Sequence, residues 1–255
     1  MRALAWLLLA AISVYALACL GLYVTQRSLI YFPQPRAFGS ADNIMKLPVE
    51  GAQINVSTRQ LDTPQAVIYF GGNAENVSGS LPDLAHAFPA HSLYLMHYRG
   101  YGGSSGTPTE KALVADALAL FDEVKRQHAD VTVIGRSLGS GVALRVASSR
   151  PVARLVLVTP YDSMAALAAQ QFPLFPVRFL MTDKFESWRY APQVSAPTTV
   201  ITAQNDEVIP RASTDLLLTR FKAWTARQVV IAGTGHNTVS GDPSYAQTLS
   251  GALPR

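Results

Sequence analysis

The stretch Val131-Thr132-Val133-Ile134-Gly135-Arg136-Ser137-Leu138-Gly139-Ser140-Gly141-Val142-Ala143-Leu144-Arg145-Val146-Ala147-Ser148 decides the fold. Val131 to Ile134 is an apolar run suited to a buried strand, and Gly141 to Ser148 reads as a helix. Between them, Gly135-Arg136-Ser137-Leu138-Gly139 matches Gly-x-Ser-x-Gly, a sharp turn from strand to helix with the serine at its apex. Glycines are needed on both sides because side chains there would collide with neighbouring backbone. The turn exposes the Ser137 hydroxyl as a candidate nucleophile. It also aims the Leu138 N–H and the start of the following helix at a reacting carbonyl, where negative charge develops.

Outward from that turn, apolar runs bounded by turn residues recur at Ala66 to Phe70, Ser92 to His97, Ala153 to Val158, Thr198 to Thr202 and Gln228 to Ile231. Helix-like stretches separate several of them, most clearly Glu110 to His128, where Leu113, Leu120, Phe121 and Val124 recur near helical spacing. Strands alternating with helices predict a mostly parallel sheet covered on both faces. Between Pro160 and Pro192 the pattern breaks into apolar residues interrupted by prolines, which predicts a short helical cap around residues 161–192. With no fixed-period repeat, residues 28–255 are expected to form one α/β domain.

Of five histidines, only His236, in Gly233-Thr234-Gly235-His236-Asn237, follows the serine motif in a loop after a strand. A neutral imidazole can take the serine proton and return it to a leaving group, so His236 is the expected general base. Asp206 directly follows the run Thr198 to Thr202 within Ala203-Gln204-Asn205-Asp206 and is the expected partner that orients the imidazole. Asp162, Asp183, Asp215 and Glu207 compete for that place, Asp162 most directly because it follows an earlier strand. The order Ser137, Asp206, His236 is the one that goes with a Gly-x-Ser-x-Gly strand-turn-helix. The small residues of Gly71-Gly72-Asn73, after the run Ala66 to Phe70, make the Asn73 N–H the second candidate oxyanion donor.

Ala3 to Val24 carries no charge, and its 22 residues span roughly 33 Å as a helix, enough for a hydrocarbon core of about 30 Å. Residues 1–27 are therefore expected to form an uncleaved single-pass membrane anchor, crossing through residues 3–24. A cleaved signal ending near Ala16-Leu17-Ala18 and a lipoprotein attached through Cys19 are the alternatives. Arg2 and the amino terminus on one flank nearly balance Arg27 and Arg36 on the other; the domain is expected outside the cytoplasm. The net charge of +4 comes without a Lys/Arg run or basic-aromatic interleaving, so a nucleic-acid partner is not expected. Cys19 is the single cysteine, which excludes a disulfide or a cysteine-based metal site in the domain.

Taken together, Gly72-Asn73-Ala74-Glu75-Asn76, Tyr98-Arg99-Gly100-Tyr101-Gly102, Gly135 to Gly139, Asn205-Asp206 with Ile209-Pro210, and Gly235-His236 resemble the membrane-anchored α/β-hydrolase group of BEM46-like and alpha/beta hydrolase domain-containing proteins. The resemblance covers nearly the whole chain and extends to Thr159 to Met164 in the cap. It departs where many such proteins carry His-Gly-Asn and this chain has Gly71-Gly72-Asn73. The resemblance implies the α/β-hydrolase fold and acyl hydrolysis, with esterase, lysophospholipase, thioesterase and depalmitoylase activities all present in the group. The expected chemistry is a Ser137 acyl-enzyme on a lipid-like or acylated substrate, without metal or organic cofactor. Tyr101, Phe172 and Phe175 are the candidate substrate contacts, although a packed loop and a packed core are the simpler readings of their surroundings. A serine peptidase of the same fold, with Glu186 or Asp183 holding a peptide terminus, and a catalytically silent binding module are the alternatives.

Overall fold

In the computed structural model, residues 1–36 and 43–251 are described; residues 37–42 and 252–255 of the expected domain lie outside that range. The six apolar runs form strands β3 (Gln65–Phe70), β4 (Ser92–Met96), β5 (Asp130–Arg136), β6 (Arg154–Val158), β7 (Thr198–Ala203) and β8 (Ala226–Ile231). Two further strands, β1 (Ile44–Val49) and β2 (Ala52–Arg59), form a hairpin that the hydrophobic pattern did not reveal. Glu50 and Gly51 turn it, with Val49 paired to Ala52. The described strands make one eight-stranded sheet in the order β1-β2-β4-β3-β5-β6-β7-β8, in which β2 alone runs against its neighbours.

Strand periodicity divides the core in two. Ala66, Ile68 and Phe70 of β3 face one layer, with α3 (Glu110–Gln127) and α4 (Leu138–Ala147) packed on it. Val67 and Tyr69 face the other, against α2 (Leu81–Ala87) and α8 (Tyr245–Ser250). Because both faces are covered, the central strands have no polar alternation, which is why they read as continuous apolar runs. In α3, the Thr109 hydroxyl accepts from the Ala112 N–H at the first turn, and Leu113, Ala117, Leu120, Phe121 and Val124 form the buried stripe. On the same helix, buried Asp116 accepts two hydrogen bonds of 2.8 Å from Arg99, locking the Tyr98 to Tyr101 loop to the domain.

Between β6 and β7 the chain forms α5 (Met164–Gln171), α6 (Val177–Leu180) and two short 3-10 turns. Proline at positions 173, 176 and 192 limits these helices to one or two turns. Between β7 and β8 lies α7 (Arg211–Leu218). At the other end of the chain, α1 (Arg2–Ile30) is a 29-residue helix of which only Ile30 is buried. By length and composition it can cross a membrane.

His97, just beyond β4, is buried with Nε2 2.8 Å from the Ser57 hydroxyl. Burial, with the Arg36 charge adding to it, pushes its pKa down to about 4. An unfolded imidazole titrates near 6.5, so between those values the unfolded chain binds the extra proton. The His97 contribution is therefore complete above about pH 6.5 and is lost as pH falls toward 4. Denaturation midpoints measured across that window are expected to drop on acidification, and His97→Gln should drop less steeply.

Candidate active site

Ser137 sits between β5 and α4 with φ 50° and ψ −119°, a strained conformation for a residue with a side chain. Its N–H donates to the Val158 carbonyl at 2.9 Å, tying the turn to β6. The glycines on either side are required by contact. A Cβ on Gly139 would lie 2.1 Å from the Phe70 carbonyl oxygen, and one on Gly135 would lie 2.3 Å from the Gly139 carbonyl oxygen. Both obstacles are backbone and cannot step aside. Gly139→Ala is therefore expected to cost about 3 kcal/mol or more, seen as a lowered denaturation midpoint together with loss of activity.

The loops after β3, β5, β7 and β8 all emerge at the carboxyl edge of the sheet, where ligands bind in parallel α/β proteins. There, His236 Nε2 lies 3.0 Å from Ser137 Oγ, and Nδ1 lies 3.0 and 3.1 Å from the two Asp206 carboxylate oxygens. With Nδ1–H donating to Asp206, Nε2 is left to accept the serine proton. Asp206 is itself held by the N–H groups of Val208, at 3.0 Å, and Ile209, at 2.7 Å. Burial pushes its carboxyl up, but the His236 hydrogen bond and those two amides outweigh burial and hold it below the usual carboxylate value. The imidazole and the carboxylate are 6% and 9% exposed, so water competes little for this relay.

Asn73 and Leu138 both border the cavity above Ser137, and neither backbone N–H has a backbone acceptor among the described residues. Three charged residues whose bracing role sequence reasoning did not identify hold these loops. Glu75 accepts from the Gly72 N–H at 2.8 Å, the Tyr69 hydroxyl at 2.8 Å and the Ser80 hydroxyl at 2.7 Å. Arg136, beside the serine, contacts Glu75 at 3.3 Å and the His236 carbonyl at 3.4 Å. Burial works against its charge, but Glu75 together with Tyr69 and Tyr245 outweighs burial and raises its pKa. Glu207 accepts from the His236 N–H at 3.1 Å, so this competitor for the acid position holds the histidine's backbone instead. Only the position of Glu75 just after Gly72-Asn73 hinted at such a role. At Gly71, a Cβ would meet Val77 Cγ1 at 2.4 Å, so the space a side chain would need there is filled.

Two proposed substrate contacts are corrected. Tyr101 is buried away from the cavity, its hydroxyl donating to the Asn73 carbonyl at 2.6 Å and accepting from the Phe32 N–H at 2.8 Å. Such hydrogen bonding makes it a brace for the Asn73 loop. Phe175 stacks on Tyr15 of α1, with ring centroids 5.8 Å apart, and does not border the cavity. Phe172 does border it. Asp162, after β6, accepts from the Ser213 hydroxyl at 2.6 Å. Asp183 and Glu186, the acids that a peptide terminus would require, pair with Arg27 and Arg189 and lie outside the cavity wall.

The cavity encloses about 820 Å³. Ser137, His236 and the Gly72 to Asn76 loop form its floor, and Met164, Leu167, Phe172, Val177 and Leu180 of the cap form one wall. Leu22, Gln26, Leu29 and Ile30 of α1 complete it. The wall is mostly apolar, with polar side chains beside Ser137 and also at Gln26 of α1 and Gln170 and Gln171 of α5.

Residues 67–184 match the α/β-hydrolase fold family model. An uncharacterized Mycobacterium tuberculosis protein is 34% identical over 231 residues, covering 83% of this chain and 80% of its own. The lysophosphatidylserine lipase ABHD12 of Macaca fascicularis is 30% identical over 168 residues, 56% of this chain and 42% of that longer protein. Among solved structures, the Pyrococcus furiosus esterase Pf2001 superposes with a TM-score of 0.67 at 16% identity, covering 88% of this chain and 96% of the esterase. The chain belongs to the α/β-hydrolase family, and its homologues include the bem46 and alpha/beta hydrolase domain-containing proteins.

Proposed function

We propose that this α/β hydrolase is a serine hydrolase that cleaves an ester or thioester bond of a lipid-like or acylated substrate. The observation that carries the reading is the relay Ser137–His236–Asp206, with both contacts of the imidazole at about 3 Å, on the floor of a largely apolar cavity.

Ser137 Oγ attacks the acyl carbon while its proton passes to His236 Nε2, and the carbonyl oxygen, now negative, faces the Asn73 and Leu138 N–H groups. Collapse expels the alcohol or thiol, which takes the proton from His236, and leaves an ester on Ser137. Water then attacks that ester, gives one proton to His236, and the carboxylic acid departs as Ser137 recovers its proton. Asp206 holds the imidazole tautomer and stabilises its protonated form in both halves. The whole reaction consumes one water and needs no oxidant or reductant.

The esterase and lipase relatives favour an ester substrate, and Asp183 and Glu186 lie outside the cavity wall, which disfavours a peptidase. Turnover of p-nitrophenyl esters from two to sixteen carbons by the full chain in detergent tests the reading. A rise in kcat/KM with chain length beyond about four carbons is expected; inertness across the series would leave the binding-module alternative in its place.

A further inference from the structure

The cap meets α1 far from the active site. The Tyr15 hydroxyl donates to the Leu174 carbonyl at 2.9 Å, and the Tyr15 and Phe175 rings stack with 2° between their planes. Nearer the domain, Gln26 accepts from the Thr182 N–H at 2.7 Å, and Arg27 pairs with Asp183 at 3.1 Å. The cap is thus fixed along one side of α1 from Tyr15 to Arg27.

Tyr15 lies in the middle of the uncharged stretch, nine residues before Val24. At 1.5 Å per residue that is about 14 Å, close to half of a hydrocarbon core of about 30 Å. A loop held against Tyr15 cannot stay in water while α1 crosses a bilayer. The loop's surface suits hydrocarbon: Leu174 is 81% and Phe179 is 89% exposed, far above what a soluble surface needs. Arg178 is the only charge between Phe172 and Met181, and a long basic side chain can reach the head groups. The cavity wall includes Leu22, which is inside the uncharged stretch, so the cavity extends to hydrocarbon depth. At its inner end, the Asn73 side chain donates to the Ile30 carbonyl at 3.1 Å, joining α1 to the loop beside Ser137.

We propose that residues 172–180 insert into the bilayer beside α1 and that the cavity opens between them into the hydrocarbon, so that an acyl lipid reaches Ser137 without passing through water. The entry route rests on the serine-hydrolase reading; the insertion does not. Full-length protein carrying Cys19→Ala is labelled with an environment-sensitive fluorophore at Leu174→Cys, Phe179→Cys or Trp224→Cys, the last on a fully exposed residue. In phosphatidylcholine vesicles containing doxyl-labelled lipid, the labels at 174 and 179 are expected to be blue-shifted and quenched at least twofold, and the label at 224 unchanged. Water-like emission at 174 would overturn the insertion.

The double variant Leu174→Asp/Phe179→Asp tests entry. It is expected to lose tenfold or more on a long-chain lysophospholipid in vesicles while keeping p-nitrophenyl acetate turnover within about twofold. Unchanged turnover on the vesicle substrate would overturn the route, as would an equal loss on both. Wild type inert on both substrates would defeat the serine-hydrolase reading and the route with it, while label depth still decides the insertion.

Discussion

Ser137→Ala is expected to fold as the wild type does and to hydrolyse esters about 10⁴- to 10⁶-fold more slowly. The hydroxyl's contact in the folded chain is with His236, and the N–H that ties the turn to Val158 belongs to the backbone, so alanine keeps the turn. Its φ of 50° costs alanine about what it costs serine. Removing Oγ takes away the proposed nucleophile and leaves the proposed oxyanion donors and the cavity intact. Circular dichroism melting should move by only a few degrees while kcat collapses. A variant that keeps a tenth or more of the wild-type rate would show that Ser137 is not the nucleophile.

Asp206→Asn should lower kcat by about 10²- to 10⁴-fold with little change in KM for a short ester. Asparagine has nearly the same shape, and its carbonyl can still accept from the Val208 and Ile209 amides. The amide nitrogen then faces His236 Nδ1, which favours the tautomer that puts the proton on Nε2 and blocks it from accepting from Ser137. Loss of the carboxylate also removes the charge that stabilises the imidazolium. Because the His236 hydrogen bond and the two amides hold Asp206 below the usual carboxylate value, the wild type carries that charge near neutral pH. Equal damage from Asp162→Asn would shift the role to the other acid.

The parts of the fold that could be read from sequence are those with one dominant force. Strands β3 to β7 are buried on both faces along most of their length and so read as largely apolar runs. Strand β8, at one edge of the sheet, is only partly buried and was legible through Val229-Val230-Ile231. The hairpin β1–β2 stayed hidden because it forms the sheet's other edge. Lys46, Gln53 and Asn55 break its apolar runs, and only three consecutive residues in β2, Val56 to Thr58, are buried. At the site, the meeting of Ser137, Asp206 and His236 could be anticipated because each follows a strand within a short loop at one edge of the sheet. The roles of Glu75, Arg136 and Glu207 could not, because in a sequence a charged residue that bonds backbone amides and carbonyls looks like any solvated charge. Tyr101 and Phe175 show the opposite error: an aromatic in the right segment suggested a substrate contact, and tertiary packing turned each toward another part of the chain.

Labelling of the full-length protein with an alkyl fluorophosphonate, followed by peptide mass spectrometry, tests the serine-hydrolase reading most directly. Stoichiometric modification of Ser137, slowed at least 100-fold in His236→Ala, is the predicted result. Absence of adduct on Ser137 in protein that melts cooperatively would contradict it.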